Sequence, residues 1–358
     1  MLFNSKFKIN KKEISFNSPT YFIADIAANH DGNFDRVKKL VYIAKECGAD
    51  AVKFQHFLAP KIVSDFGFKN FGQKVAHQKK WKKSVYEIYE QYSFNRDWDK
   101  KIYELTKKLN IQWMTTPYDF DALEKTNKFS KAFKIGSGDI TWLDFIEAIS
   151  KKKKPIILST GASNIKDITN AVKVIRKFNK NVCIMQCNTN YKNERKNFHH
   201  INLRVLNLYK KKFKNIILGL SDHTEGHSTV LGAVTLGARI IEKHFTDDNK
   251  RNGPDHYFSM NPNSWKEMIK RTRELEDALG YEKKIIEQNE QESVLVQRRC
   301  IRLNRKLIKG SIISIKDLDY LRPAPKNSLS PADVKKILNK KLKKEKQKGS
   351  EIYLTDVS

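Results

Sequence analysis

Cysteine is scarce in this chain. Its four residues, Cys47, Cys183, Cys187 and Cys300, form no CxxC pair, which excludes zinc-ribbon spacing and a thioredoxin-type redox motif. Free thiols are therefore expected, as in a reducing compartment. Long apolar runs are missing too, and none approaches the ~20 residues that a membrane span needs. The opening stretch "MLFNSKFKINKKEISF" has no cleavable apolar segment, so the expected location is cytoplasmic. Acidic residues are few: Asp and Glu total 40 against 69 Lys and Arg, a net charge of +29. The excess is scattered through segments such as "SKKKKP" and "LYKKKFKN". No zinc-finger, aromatic RNA-binding or helix-turn-helix signature accompanies it, which argues against specific nucleic-acid binding. Such a charge can still gather anionic small molecules by steering.

What is present is an alternation of strand-like and helix-like periods over 358 residues. "YFIADIA" (Tyr21 to Ala27) reads as a strand, and "FDRVKKLVYIAKECG" (Phe34 to Gly48) as an amphipathic helix closed by Gly48. "AVKFQ", "IQWMT", "AFKIG", "PIILS", "NVCIMQC", "NIILGLS" and "ARIIEKHF" follow as further strands. A long insertion, "HFLAPKIVSDFGFKNFGQKVAHQKKW", comes after the second. Eight β-runs with helical crossovers predict an α/β fold, a (β/α)8 TIM barrel. An open doubly wound sheet is the alternative, but "IAANHDGN" carries no GxGxxG after the first strand. The barrel is expected over residues 1–280. A polar, helical linker over 281–293 leads to a small β-rich capping domain over 294–358, where a "KG-S-hydrophobic" turn is used twice.

In a barrel the C-terminal strand ends converge on one mouth, so polar residues there are site candidates. In order they are Asp25, Asn29, Lys53, Gln55, Thr116, Lys134, Ser137, Asp139, Ser159, Thr189, Tyr191, Ser221, His223 and His244. Lysine is costly inside a barrel unless it meets an anion. Lys53 and Lys134, backed by hydroxyls, therefore suit a phosphate or carboxylate. His223 and His244 end two neighbouring strands. If the last strand turns Ile240, Glu242 and His244 inward, both imidazoles reach one rim. There they suit a divalent metal acting as a Lewis acid, and spacing alone leaves two structural histidines equally open.

The blocks "IADIAANHDG", "GADAVKFQ", "TTPYD", "FKIGSGD", "ILSTGAS", "GLSDHT", "GARIIEKHFT", "GPDHYFSM" and "YLRPAP" together resemble the sialic acid (N-acetylneuraminate) synthase family. That family includes the legionaminate and pseudaminate synthases. The resemblance spans nearly the whole chain. It implies a (β/α)8 barrel with a C-terminal domain like the type III antifreeze proteins. It also implies condensation of phosphoenolpyruvate with a 2-acetamido sugar aldehyde, a divalent metal (Mn2+ or Mg2+) and a domain-swapped homodimer. Carried over by position, the phosphoenolpyruvate pocket is Lys53, Thr116, Lys134, Ser137, Ser159, Thr189 and Ser221. The metal falls to His223 and His244. The sugar falls to Gln55, Asp139, Tyr191, Asp255 and, from the second subunit, Arg322. Asp25 stands where the family has a metal-proximal acid that helps to activate water.

Three departures mark this chain. Asp25 and Asp139 replace glutamates, and "QCNTNY" replaces the more usual "HCTNIY" or "KCTSAY", which places Gln186 and Thr189 at altered positions. These changes bear on the sugar, so a legionaminate, pseudaminate or other keto-sugar acid is an alternative product. Other classes are a Schiff-base aldolase using Lys53 or Lys134 and a non-catalytic carbohydrate-binding protein.

Overall fold

The structure is a computed structural model that describes residues 2–71, 78, 81–191 and 194–358. It divides into two compact units, Met1–Gly280 and Tyr281–Ser358. The insertion after the second barrel strand lies partly outside the described residues. Among the described residues no helix is long and apolar enough to cross a membrane.

The first unit opens with an antiparallel hairpin, β1 (Lys6–Ile9) and β2 (Lys12–Ser15). Eight parallel strands follow: β3 (Tyr21–Asp25), β4 (Ala51–His56), β5 (Gln112–Pro117), β6 (Phe133–Ile135), β7 (Ile156–Ser159), β8 (Val182–Cys187), β9 (Ile217–Asp222) and β10 (Ala238–His244). They close in sequence order, with β10 pairing back onto β3. The expected (β/α)8 barrel is the fold. Helices form where the sequence gives a cap and an apolar stripe. Asn33 caps the helix Phe34–Glu46 through the Arg36 amide, and Val37, Leu40, Val41 and Ala44 are buried on one stripe. That helix stops two residues short of Gly48, whose φ of +86° ends the turn. β3 likewise ends at Asp25 rather than Ala27, because Ala27 takes a φ of +44° and leaves the ladder.

Strand alternation sorts every barrel residue into interior or shell. Ile23, Ala51, Met114, Ile157, Cys183, Ile217 and Ile240 form an apolar interior layer. Phe7, Ile9 and Ile14 of the hairpin pack into the same cluster and plug the lower end. Phe22, Val52, Trp113, Ile184, Ile241 and Phe245 face the helices instead. The hairpin was not legible as structure, although Asn10, at a φ of +54°, supplies the left-handed residue its turn requires.

In the second unit β11 (Cys300–Leu303) and β12 (Leu318–Leu321) pair antiparallel. Single bridges such as Leu307 to Lys346 and Ile312 to Lys341 extend the pairing. Ile301, Leu303, Ile313, Ile337, Leu342 and Ile352 form its core. Gly310 and Gly349, the twin "KG-S" glycines, have φ of +84° and +82°, a region that glycine enters freely. The stretch expected to be a helical linker is helical only from Gln291 to Gln297, after a short turn at Gln288–Glu290. Tyr281, Ile285 and Ile286 are exposed, so no buried apolar stripe drives a helix there.

Candidate active site at the barrel mouth

Above the apolar layer, the next interior residue is polar on six of the eight strands, while β8 and β9 place Met185 and Gly219 there and turn polar two residues later, at Cys187 and Ser221. The register sets Asp25 beside Lys53, Gln55 beside Thr116, Ser221 beside Glu242, and His244 beside Asp25. The Lys53 ammonium donates to Asp25 Oδ2 at 2.7 Å and Thr116 Oγ1 at 3.3 Å. Glu242 Oε1 lies 3.8 Å from Lys53 Nζ and 3.3 Å from Lys134 Nζ. Ser221 Oγ donates to the same oxygen at 3.4 Å, and Gln55 Nε2 donates to Asp25 Oδ2 at 2.9 Å. Lys53 is 2% exposed. Burial opposes its charge, but Asp25 and Glu242 outweigh burial and raise its pKa.

Beside this floor several hydroxyls gather around Gly161. The Gly161 amide donates to Ser137 Oγ at 2.9 Å. A methyl placed on Gly161 would come within 2.5 Å of Thr189 Cγ2, 2.9 Å of Ser137 Oγ and 3.2 Å of Cys187 Sγ. Thr189, Ser137 and Cys187 therefore meet at one point over a glycine that keeps it open. The Ser159 hydroxyl is buried with no hydrogen-bond partner among the described residues. Gln186 faces away: its amide donates to Ile201 O at 2.9 Å and its carbonyl accepts from Tyr209 at 3.3 Å.

The two imidazoles stand next to this cluster, ring centres 5.3 Å apart, with His223 against the Cys187 thiol. His223 Nδ1 donates to Asn188 O at 2.8 Å, which orients its ring and leaves Nε2 with the lone pair. Burial lowers its pKa, yet the Cys187 thiol and the Asn188 carbonyl outweigh that and raise it. His244 Nδ1 is buried without a partner among the described residues. Burial, then the neighbouring His223 and Lys53, push its pKa well down, so the ring stays neutral. Its Nε2 lies 3.7 Å from Asp25 Oδ2 and its Nδ1 3.9 Å from Asp255 Oδ2. Among the described residues no group of three or more His, Cys, Asp or Glu converges as a metal cage. Two adjacent imidazoles, His244 neutral and with an orphaned nitrogen, still fit an ion whose other positions go to substrate or water.

Asp255 is delivered by a braced loop. His256 bonds Asp31 Oδ1 at 2.9 Å and Thr246 Oγ1 at 2.7 Å, and Arg251 pairs with Asp31 at 2.9 Å. The Ala28 amide donates to Asp255 Oδ2 at 3.1 Å. An aromatic cleft of about 600 Å³, counting its open mouth, adjoins Gln55, His244 and Asp255 and includes Phe57, Tyr89, Tyr118 and Tyr191. The Tyr191 ring lies 4.4 Å from that of His223. Burial raises the pKa of Asp139 to about 6, with Lys134 opposing, and burial likewise raises Asp255 to about 6. The buried Asp139 Oδ2 has no partner among the described residues and lies by the Tyr118 hydroxyl, over Gly136.

The singled-out residues of the barrel unit meet at this mouth except Gln186, which faces away, and Asn29, whose amide braces Phe245 O and Ser259 Oγ at 2.9 Å each. Arg322 lies in the second unit, exposed, directly after β12. Sequence reasoning assigned no role to Glu242 or Cys187. Both were findable from alternation, since they share their strand faces with His244 and Cys183.

A family model described as the NeuB family matches residues 40–284. The N,N'-diacetyllegionaminic acid synthase of Campylobacter jejuni is 34% identical over 328 residues, 90% of this chain and 95% of that one. The human N-acetylneuraminate-9-phosphate synthase is 28% identical over 325 residues, 90% and 89% of the two chains. The crystal structure of an N-acetylneuraminic acid (sialic acid) synthetase from Leptospira borgpetersenii, in complex with citrate, superposes with a TM-score of 0.70. Its sequence is 26% identical, covering 82% of this chain and 96% of that one.

Proposed function

The chain belongs to the NeuB family, and from that premise we propose that it is a nonulosonate synthase, a phosphoenolpyruvate-dependent transferase. It condenses phosphoenolpyruvate with N-acetylmannosamine or a related 2-acetamido sugar aldehyde and water, giving a nine-carbon keto-sugar acid and phosphate. One observation carries the reading: two buried lysines and two adjacent imidazoles share a single mouth.

Lys53 and Lys134, with Thr116, Ser137, Ser159, Thr189 and Ser221, hold the carboxylate and phosphate of the enol. Glu242 holds both ammonium groups in place, and with Asp25 it keeps Lys53 charged. That charge argues against an aldolase, which needs a neutral amine to form its Schiff base. Gln55, Asp139, Tyr191 and Asp255 hold the sugar in the aromatic cleft, where rings cover its acetamido methyl. His223 and His244 would hold a divalent ion, Mn2+ or Mg2+, which would supply Lewis-acid polarisation of the aldehyde oxygen. C3 of the enol forms a bond to the aldehyde carbon as the C2=C3 and C=O π bonds open, leaving a cationic C2 and an alkoxide that takes a proton from water to become a hydroxyl. Water adds at C2, giving up a proton toward Asp25, and the C2–O bond to phosphate then breaks. The reading includes a cytoplasmic, domain-swapped homodimer in which the antifreeze-like domain of one copy places Arg322 over the mouth of the other. Guanidinium geometry suits it to the bound substrate's polar substituents.

The test is phosphate release from phosphoenolpyruvate with Mn2+ and a panel of amino sugars, read with mass spectrometry of the acidic product. Release that needs no sugar, or a panel with no acidic product, refutes the reading. A non-catalytic carbohydrate-binding protein would bind sugar without releasing phosphate.

A further inference from the structure

Directly behind the imidazole pair lies a second pair that the chemistry above does not use. Asp222 precedes His223 and Lys243 precedes His244. The register of β9 and β10 sets these two residues side by side. Alternation turns Glu242 and His244 into the mouth and Lys243 away from it, so Lys243 touches no substrate-facing group. Its side chain and that of Asp222 are each 1% exposed.

The Lys243 ammonium uses all three protons. It donates to Asp222 Oδ2 at 2.5 Å, Thr224 O at 2.6 Å and Gly226 O at 3.2 Å. Asp222 is satisfied in turn by the Thr224 amide at 3.2 Å, the Thr224 hydroxyl at 2.9 Å and the Thr229 hydroxyl at 2.7 Å. Every partner belongs to the segment from Asp222 to Thr229, the loop and helix start that carry His223. Lys243 thereby staples the His223 loop to the residue next to His244.

A buried ion pair adds little net stability over apolar residues of equal volume, because desolvation offsets the attraction. What it provides here is fixed geometry. We infer that Asp222 and Lys243 are positioning residues that set the distance between the His223 and His244 rings, and so the affinity for the divalent ion. The inference rests on the metal role given to those histidines under the proposed function.

Full-length chain is titrated with Mn2+ while the free ion is followed by electron paramagnetic resonance. The paired variant Asp222→Asn/Lys243→Met removes both charges together, which avoids stranding one of them. Circular dichroism verifies its fold. Affinity should fall about 10–100-fold, the usual cost of losing the groups that orient metal ligands. KM for phosphoenolpyruvate, gripped chiefly by Lys53 of β4 and Lys134 of β6, should change far less. Should the paired variant not fold, Thr224→Val keeps both charges and nearly the same volume, and about a three-fold or greater loss is expected of it. A folded variant that binds Mn2+ within two-fold of the parent overturns the inference and leaves the proposed function standing. A parent chain that binds no Mn2+, or a His223→Ala chain that binds it undiminished, overturns the metal reading and this inference together.

Discussion

Replacing Asp139 by asparagine should stabilise the barrel unit at neutral pH while harming its activity. The carboxyl is largely buried, one oxygen lacks a partner, and burial raises its pKa from 3.8 to about 6. A rise of about two units corresponds to about 3 kcal/mol lost on ionising the folded form, or about 2 kcal/mol once partial exposure is allowed for. The sign follows from proton uptake: between pH 4 and 6 the folded chain binds the proton better than the unfolded chain. The stabilisation that this gives is complete below about pH 4 and is lost as pH rises through 6. Asparagine does not titrate. The variant's advantage should therefore be near zero at pH 4, about half developed at pH 5 and complete above pH 7. At about 2–4 °C per kcal/mol, the unfolding midpoint at pH 8 should rise by about 4–12 °C. Thermal unfolding of parent and variant from pH 5 to 8, with KM for the sugar measured alongside, is the assay. A variant less stable than the parent at pH 8, or a gain that ignores pH, refutes the reasoning.

His223→Ala and His244→Ala should each abolish turnover with little loss of fold, and activity surviving chelator treatment in either would contradict the metal role. Gly161→Ala introduces a methyl within 2.5 Å of Thr189 Cγ2 and 2.9 Å of Ser137 Oγ, so KM for phosphoenolpyruvate should rise about ten-fold or more. The KM for the sugar should change far less, as steady-state kinetics with each substrate varied will show. Arg322→Ala should leave the chain folded with kcat/KM down at least ten-fold. A mixture of impaired Arg322→Ala and inactive Lys53→Met chains should be more active than either alone if the arginine acts across the dimer.

The barrel was legible because its strands are short apolar runs separated by amphipathic helices, a pattern that periodicity detects. The mouth was legible because alternation forces Lys53, Lys134 and His244 to follow interior positions, where a charged side chain needs a reason. Glu242 was placed on the inward face, but its tie to both lysines depends on three strands meeting across the barrel. No local pattern encodes that. The staple of Lys243 onto the His223 loop was hidden for a different reason: a lysine among 69 basic residues reads as surface until the register buries it. Asp139 and Asp255 have their altered protonation chiefly from burial, a property of the folded mouth and not of the residues around them in the chain.

The most direct measurement uses phosphoenolpyruvate carrying 18O in the bridging C–O–P position, incubated with enzyme, Mn2+ and the active sugar. Attack of water at C2 followed by departure of phosphate sends the label into inorganic phosphate, which mass spectrometry will detect. Label retained in the keto-sugar acid would mean that water attacks phosphorus, and the mouth described here would be performing a different reaction.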